Sequence, residues 1–190
     1  MKVRESRLPG VMTVEPRVFE DARGSFVEIW SERGWAAAGL PRGLPRLFVQ
    51  DSLSFSRPGV LRGLHFQNPD PQGKLICVLR GEVFDVVVDV RVGSPTFGRW
   101  LGLTLSGDNR LQLYIPEGFA HGFVVTGDGA DFFYKCTAPY NPQAEHTLAW
   151  NDPRLGIDWP VARPTLSEKD SRGNTLAELE ALGVLPTVDA

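Results

Sequence analysis

Short apolar runs separated by glycine and proline are the feature that most constrains the fold of this 190-residue chain. The 20 glycines and 15 prolines are spread along the whole sequence rather than gathered in one linker. Proline removes a backbone hydrogen-bond donor and glycine weakens a helix, so residues spaced in this way disfavour long helices along the chain. Many short strands at such turn-punctuated spacing are typical of an all-β sandwich or barrel.

The clearest candidate strand is Glu82 to Val90. Alternate residues of a strand face opposite sides, so this run has one apolar face and one mixed face that carries Asp85 and Asp89. The further candidate strands are Val11 to Phe19, Phe26 to Trp30, Arg46 to Ser54, Leu61 to Gln67, Lys74 to Arg80, Gly98 to Leu105, Gln112 to Ile115, Gly122 to Thr126, Asp131 to Thr137 and Thr147 to Trp150.

Helix is predicted in only two places. Ser31 is a candidate N-cap for a helix through Ala38, ended by Gly39 and Pro41, and Thr175 to Leu182 has leucines at helical spacing. We therefore predict an all-β fold: a jelly-roll barrel of two antiparallel sheets with a few short peripheral helices, closed enough to hold a ligand. At this length we expect one domain over residues 1–190, with a core of about 45–150 on which the N-terminal strands and the C-terminal segment pack.

Composition excludes several classes of protein. The formal net charge is −3, and no basic block stands out, so a nucleic-acid polymer is not an expected partner. Residues 1–10 resemble neither a signal peptide nor an anchor, and no segment approaches the roughly 20 apolar residues of a membrane-spanning helix. Cys77 and Cys136 lie in apolar runs and are predicted to be buried free thiols, which favours a soluble cytoplasmic protein.

The three histidines are the first candidates for chemistry. In a strand, His65 shares a face with Gly63 and Gln67, while Arg62 starts on the other face. A bulge at Gly63 could bring Arg62 round to the side of His65. Taken alone, His65 fits a hydrogen-bonded core histidine as well as a catalytic one.

His121 follows Pro116 and Gly118 in a P-x-G-x-x-H turn, which resembles the second motif of the cupin superfamily of jelly-roll barrels. Metal-binding cupins add an H-x-H pair from an earlier strand, but here the position two after His65 is Gln67. His146 lies beyond an apparent loop, so the sequence offers a poor metal site, and we predict neither a metal nor a cofactor. A metal-dependent cupin and a non-catalytic sugar-binding cupin remain alternatives.

A second pair of residues suggests acid–base chemistry. Tyr134 lies in the middle of a candidate strand, where an apolar environment is typical of a core tyrosine. If it faces a polar cavity opposite His65, it is a candidate acid, since inversion at carbon needs a base on one face and an acid on the other. Lys74 could then hold the negative charge that develops on oxygen.

From residue 1 to about 172, the sequence resembles the dTDP-4-dehydrorhamnose 3,5-epimerases, a metal-free branch of the cupins. The stretches that carry the resemblance are Asp21 to Gly24, Leu61 to Gln67, Gln72 to Leu75, Arg80 to Asp85, Ser94 to Gly98, Ile115 to Phe123, Tyr134 with Lys135, Asp152 with Pro153, Leu155 to Ile157 and Trp159 with Pro160. Each stretch is modest by itself, but their order and spacing together are specific.

The resemblance implies 3,5-epimerisation of a dTDP-4-keto-6-deoxyhexose without a cofactor, with His65 as base, Asp170 orienting it, Tyr134 as acid and Lys74 beside the enolate oxygen. It implies nucleotide or pyrophosphate contacts for Arg23, Arg62 and Lys169, and aromatic contacts to thymidine for Phe26 and Tyr140. It implies polar substrate contacts for Glu28, Gln50, His121 and Glu145. It also implies a homodimer with strands exchanged between subunits, in which the segment near Phe26 serves the partner's site.

One stretch departs from the family pattern. After Gln50 the family commonly has x-Asn-His, but here Ser52 and Leu53 stand at those positions. Ser52 is kept as a candidate contact to the substrate. The departure leaves open a single-centre epimerase of an antibiotic-sugar pathway, beside a tolerant contact that has simply drifted.

Overall fold

The chain forms eleven strands and three short helices in a computed structural model that describes residues 1–38 and 48–188. The strands are β1 Lys2–Glu5, β2 Met12–Glu15, β3 Val18–Asp21, β4 Gly24–Val27, β5 Gln50–Ser56, β6 Leu61–Gln67, β7 Lys74–Asp89, β8 Trp100–Ser106, β9 Gln112–Ile115, β10 Phe119–Cys136 and β11 Glu145–Thr147. The helices are α1 Glu32–Ala37, α2 Glu168–Ser171 and α3 Leu176–Ala181. The predicted all-β class with few peripheral helices is confirmed.

Two long strands, β7 and β10, run side by side through both layers of the fold. The first half of β7 pairs with β9 and with the second half of β10, which pairs in turn with the edge strand β5. The second half of β7 pairs with β8 and with the first half of β10, which is followed by β6 and β11. The pairing therefore makes two antiparallel layers that share β7 and β10, which is the predicted jelly-roll-like double sheet.

Each of these long strands was predicted as two shorter strands, separated at glycine residues. In the structure, Gly81 bends β7 at φ 81° and the β10 register shifts between Val125 and Ala130, but both strands continue. A Cβ on Gly81 would lie 1.8 Å from the carbonyl oxygen of Gly129, so glycine is required where the two bends meet. The predicted breaks are therefore bends that carry each strand from one layer into the other.

The ends of several other elements differ from the prediction. Pro16 separates β2 from β3, because proline cannot donate to the sheet ladder, and the single predicted strand Val11 to Phe19 becomes two. Both predicted helices form, with Ser31 and Thr175 as N-caps. Gly39 and Pro41, predicted to end α1, and the start of the strand predicted from Arg46 lie outside the described residues.

The core lies between the two layers and beneath the C-terminal segment. The largest apolar cluster joins Leu8 and Val11 of the N-terminal segment to inward residues of β7 and β10. A second cluster packs Leu176 and Leu179 of α3 on the outside of the layer that contains β6. Within the described residues, no helix has the length and hydropathy needed to cross a membrane.

Candidate active site

A cavity of about 510 Å³ opens between the two layers, a volume suited to a small-molecule ligand. Eleven of the fourteen residues predicted for the site line it. They are Gln50, Ser52, Arg62, His65, Lys74, His121, Tyr134, Tyr140, Glu145, Lys169 and Asp170.

His65 stands on β6 with one ring nitrogen bound to a buried carboxylate. Its Nε2 lies 2.6 Å from Oδ1 of Asp170, whose side chain is only 4% exposed. Burial opposes ionisation of Asp170, but the interactions with His65, Ser167 and Lys169 together outweigh it, so the pKa of this carboxyl lies below its usual value. Because an ionised carboxylate only accepts hydrogen bonds, Nε2 carries a proton and Nδ1 is left with its lone pair.

Asp170 is held in place by the start of α2. Ser167 is the N-cap of this helix, and its side chain accepts a hydrogen bond from the backbone N–H of Asp170 at 3.1 Å. The S-x-x-D spacing of Ser167 and Asp170 is an N-cap signature that the sequence reading did not use. It would have indicated that a helical turn begins after Ser167 and that Asp170 is its third residue.

Glu145 joins the other side of the His65 ring to the rim of the cavity. Its Oε1 lies 3.9 Å from Nδ1 of His65, and its Oε2 accepts hydrogen bonds from Tyr140 and Lys169, each at 2.8 Å. Burial raises the pKa of Glu145, but the hydrogen bonds from Lys169 and Tyr140, together with electrostatic interactions with His65 and Lys169, outweigh it and leave the pKa lowered. The His65 ring therefore lies between two ionised carboxylates.

Lys74 begins β7 and lies opposite Cys136 of β10 in the sheet register. Its side chain lines the cavity, and burial lowers the pKa of its ammonium group, with Glu145 acting in the opposite direction. A cation held in such a poorly solvated place attracts a developing negative charge more strongly than it would in water.

Tyr134 comes from the layer that does not contain His65. It lies on the second half of β10, directly opposite Ser52 of β5, and packs against Phe132 with ring centroids 6.1 Å apart. Gln50, Ser52 and Ser54 line the same wall at alternate positions of β5. Tyr134 and His65 thus reach the cavity from different layers.

Arg62 reaches the cavity through a bulge in β6. His65 pairs with His121 and Arg62 pairs with Phe123, so β6 has one residue more than β10 over this stretch. A Cβ on Gly63, at φ 119°, would lie 2.6 Å from the Cα of Gly122, so the bulge needs glycine. The bulge foreseen at Gly63 is present, and Arg62 donates to Ser56 Oγ at 2.9 Å.

His121 is the second cavity histidine with a carboxylate partner. Its Nε2 lies 2.8 Å from Oδ2 of Asp85, a side chain on β7 with no exposed surface. The ring stacks on Phe132, with centroids 5.9 Å apart and an angle of 21°. The sequence predicted His121 as a site residue but not Asp85, which was expected only on the mixed face of its strand.

Three predicted site residues, Arg23, Phe26 and Glu28, do not line this cavity. Arg23 and Phe26 belong to the β3–β4 hairpin, a separate two-stranded sheet, and line a shallow cleft there. The Arg23 guanidinium contacts only Asp21 among the described residues, at 2.6 Å, and Phe26 is 68% exposed. Glu28 accepts a hydrogen bond from Ser31 at 2.6 Å. Within one chain, these residues are not brought to His65.

The structure shows the surroundings of Gln67, which stands where metal-binding cupins have a histidine, and of Leu53, which departs from the family pattern. Gln67 is buried and binds backbone groups of Asp70 and Asn141, so it ties β6 to the loop that carries Tyr140. Leu53 is 63% exposed and absent from the cavity lining, so only the Ser52 departure lies in the site. Among the described residues, no group of three His, Cys, Asp or Glu side chains is arranged to hold a metal ion.

Comparison with known proteins finds close matches in both sequence and structure. The sequence profile of the dTDP-4-dehydrorhamnose 3,5-epimerase family matches residues 5–178. A protein of that name from Pseudomonas aeruginosa is 50% identical over 181 residues, covering 95% of this chain and 98% of that one. Another, from Neisseria gonorrhoeae, is 53% identical over 95% of this chain, which spans 54% of that longer protein. The crystal structure of a dTDP-6-deoxy-D-glucose-3,5-epimerase from Legionella pneumophila in complex with dTDP-4-keto-L-rhamnose is similar, with a TM-score of 0.92, 45% identity and coverage of 100% of this chain and 99% of that one.

Proposed function

Since the chain belongs to the dTDP-4-dehydrorhamnose 3,5-epimerase family, we propose that it converts dTDP-4-dehydro-6-deoxy-D-glucose to dTDP-4-dehydro-L-rhamnose. The single observation that carries the proposal is the His65–Asp170 pair in a cavity that Tyr134 lines from the other layer. The reaction inverts C3 and C5, the two carbons beside the C4 ketone. Protons at these carbons are acidic because the resulting anion delocalises onto the ketone oxygen.

His65 acts as the base in this proposal. Nδ1 takes the proton from C5 or C3, and the ring becomes an imidazolium whose Nε2 still donates to Asp170. The second carboxylate, Glu145 at 3.9 Å from Nδ1, also favours the positive charge that arrives. A well-placed general base contributes about 10²–10⁴-fold to the rate.

The ketone takes up the electron pair, so the proposed reaction needs no separate cofactor. As the C–H bond breaks, its electrons form the enolate, and the negative charge rests on O4 of the sugar. Lys74 is the cavity cation whose burial supports a role beside that oxygen. Tyr134 then donates its hydroxyl proton to the carbon from the opposite face, which inverts the centre. His65 then releases its proton to solvent and Tyr134 regains one from solvent, and a second round at the other carbon completes the change.

Arg62 and Lys169 support the charged end of the substrate. Both line the cavity, and Lys169 is half exposed at its rim, where it pairs with Glu145. A guanidinium donates two parallel hydrogen bonds to phosphate oxygens, which suits Arg62 to a pyrophosphate. We assign Tyr140, also on the rim and 51% exposed, to stacking on the thymine base.

Proton NMR of the enzyme with the 4-keto sugar in heavy water tests the proposal. Wild-type protein should exchange the protons at C3 and C5 for deuterium and form the rhamnose-configured product. His65→Ala should abolish both exchanges. His146→Ala is the matched control, because this histidine binds the backbone of Asn68 outside the cavity. Exchange at the wild-type rate in His65→Ala contradicts the base assignment, and wild-type exchange at one carbon only indicates a single-centre epimerase.

The proposal includes a homodimer in which the β3–β4 hairpin completes the partner's cavity. It is supported by the position of Arg23 and Phe26 away from the cavity of their own chain. It is also supported by exposed apolar side chains on the outer face of the layer with β5, namely Leu53 at 63%, Phe55 at 56% and Leu79 at 47%. Exposed apolar patches of this kind mark interaction surfaces.

Mixing two inactive variants tests whether subunits share a site. In a heterodimer of Arg23→Ala and His65→Ala chains, one of the two cavities has an intact His65 and an intact partner hairpin. When equal amounts of the two variants are mixed and refolded together, half of the dimers should be heterodimers. The mixture should therefore recover about a quarter of wild-type activity if hairpins are exchanged in a two-fold dimer. No recovery, with dimers present by light scattering, contradicts the shared site.

A cytoplasmic location is a further part of the proposal. It is supported by Cys77 and Cys136, which are both free and buried. Burial raises the pKa of the Cys77 thiol to about 11, which keeps it protonated and unreactive. Detection of the protein in the membrane or secreted fraction of its host would contradict this location.

A further inference from the structure

The Asp85 carboxylate is a buried charged group that the proposed reaction does not use. It lies on the inward face of β7 between Val83 and Val87, both of which belong to the main apolar cluster. Its side chain has no exposed surface, and in the described part of the chain its Oδ1 has no hydrogen-bond partner. A buried carboxylate with a single hydrogen bond destabilises the fold relative to an apolar residue of similar size.

Nearby Asp89 shows how this chain otherwise satisfies a buried carboxylate. Asp89 lies on the same face of β7 and is also unexposed, but it accepts hydrogen bonds from Arg91, Ser94 and Thr96. Those bonds close the turn after β7, so Asp89 has a structural role. Among the described residues, the Asp85 side chain makes one hydrogen bond, with Nε2 of His121 at 2.8 Å, and this histidine lines the cavity.

The His121 ring is fixed on two sides. Asp85 holds Nε2 through the sheet, since His121 and Asp85 lie on the paired strands β10 and β7. Phe132 stacks against the ring face. Because Nε2 is committed to Asp85, Nδ1 is the nitrogen that remains for a ligand in the cavity.

We propose that Asp85 is a positioning residue that keeps the proton of His121 on Nε2, so that Nδ1 accepts a hydrogen bond from a hydroxyl group of the sugar. The carboxylate only accepts, so it selects the tautomer in which Nε2 donates. The opposite tautomer would present a donor to the cavity and leave the substrate hydroxyl without its acceptor. This inference rests on the proposed function for the nature of the ligand, but the tautomer belongs to the free enzyme.

Nitrogen NMR of ¹⁵N-histidine-labelled enzyme at pH 8, without substrate, tests the first half of the proposal. The wild-type His121 should be neutral, with its proton on Nε2. In Asp85→Asn, the side-chain amide can donate to Nε2, so the proton should move to Nδ1. A wild-type His121 that is protonated on Nδ1 overturns the proposal, even if no Asp85 variant folds.

Kinetics test the second half. Loss of one acceptor for a substrate hydroxyl should lower kcat/KM of Asp85→Asn about 10- to 100-fold, mainly through KM. Once His121 is replaced by Phe, Asp85→Asn should have no further effect on kcat/KM, because a positioning residue acts only through its partner. Independent, additive effects of the two substitutions overturn the proposal. So does loss of deuterium exchange at one sugar carbon in His121→Phe, which would make His121 a base.

Asp89→Asn is the matched control on the same face of β7. It should lower the melting temperature but leave the His121 tautomer and kcat/KM as in wild type. A similar loss of kcat/KM in both variants would mean that Asp85 matters only for folding, and would overturn the positioning role. Failure of wild-type enzyme to exchange protons of the keto sugar, with the His121 tautomer as expected, would refute the proposed function but leave the Asp85–His121 relation intact.

Discussion

Replacing Asp170 by Asn measures how much the buried carboxylate contributes to proton transfer at His65. The two groups are 2.6 Å apart and the Asp170 side chain is 4% exposed. A carboxylate attracts an imidazolium far more than a neutral ring, so it stabilises the state reached after the proton leaves carbon. Removing one charge of a buried pair costs about 3–5 kcal/mol. At 1.36 kcal/mol for each factor of ten, kcat should fall about 10²- to 10⁴-fold.

The distribution of this effect between kcat and KM distinguishes it from a loss of binding. Because Asp170 acts after proton transfer begins, KM should change by less than about threefold in steady-state assays. Deuterium exchange at C3 and C5 should slow by the same factor as kcat. Asp152→Asn is the control, since this buried carboxylate accepts from the backbone of Leu176 away from the cavity. An Asp170→Asn enzyme that folds and keeps kcat within fivefold of wild type would refute the reasoning.

Three other changes test separate parts of the fold and the site. Tyr134→Phe should retain deuterium exchange but lose most inverted product, measured in the same NMR experiment, and equal loss of both would remove Tyr134 as the acid. The pKa of Lys74 is lowered by burial, so kcat should fall on the alkaline side below the usual lysine range, and Lys74→Arg, if active, should shift that limb to higher pH. Burial opposes ionisation of Asp89, but hydrogen bonds led by Arg91 outweigh it, so its pKa is lower folded than unfolded. Its stabilisation is thus present above about pH 4 and lost as pH falls through the folded pKa, and Asp89→Asn should flatten that fall in the free energy of unfolding measured with urea.

Local sequence patterns predicted where strands and helices lie, but not that β7 and β10 each run on as one long strand. Alternation along residues 82–90 predicted the second half of β7, the N-cap Ser31 predicted α1, and the spacing of leucines predicted α3. Gly81 was read as a break because glycine weakens a strand locally. In the fold it is the point where β7 and β10 bend together, and the pairing on both sides of the bend keeps the strand continuous. Such pairing is non-local and has no signature within either segment.

The site was predicted where motif residues lie on inward strand faces, and was missed where a contact depends on pairing. His65, Tyr134 and Lys74 follow from the motifs and their strands. Asp85 was recognised as an acidic residue on a mixed face, but its partner His121 lies 36 residues further along the chain. Only the register of β7 against β10 brings the two together. Arg23 illustrates the opposite case, since its sequence motif is clear but one chain does not bring it to the cavity.

The cavity holds two histidines on neighbouring strands, and their carboxylates distinguish what each can do. Each ring has one nitrogen committed to a buried aspartate and one nitrogen left for the ligand. At His65 a second carboxylate, Glu145, lies 3.9 Å from the free nitrogen, so a proton taken from carbon arrives next to negative charge. Among the described residues, His121 has no second carboxylate within 4.0 Å, and its only acidic partner is Asp85. A proton at its free nitrogen lacks the additional stabilisation that Glu145 provides at His65, which suits His121 to accept a hydrogen bond and His65 to accept the proton itself.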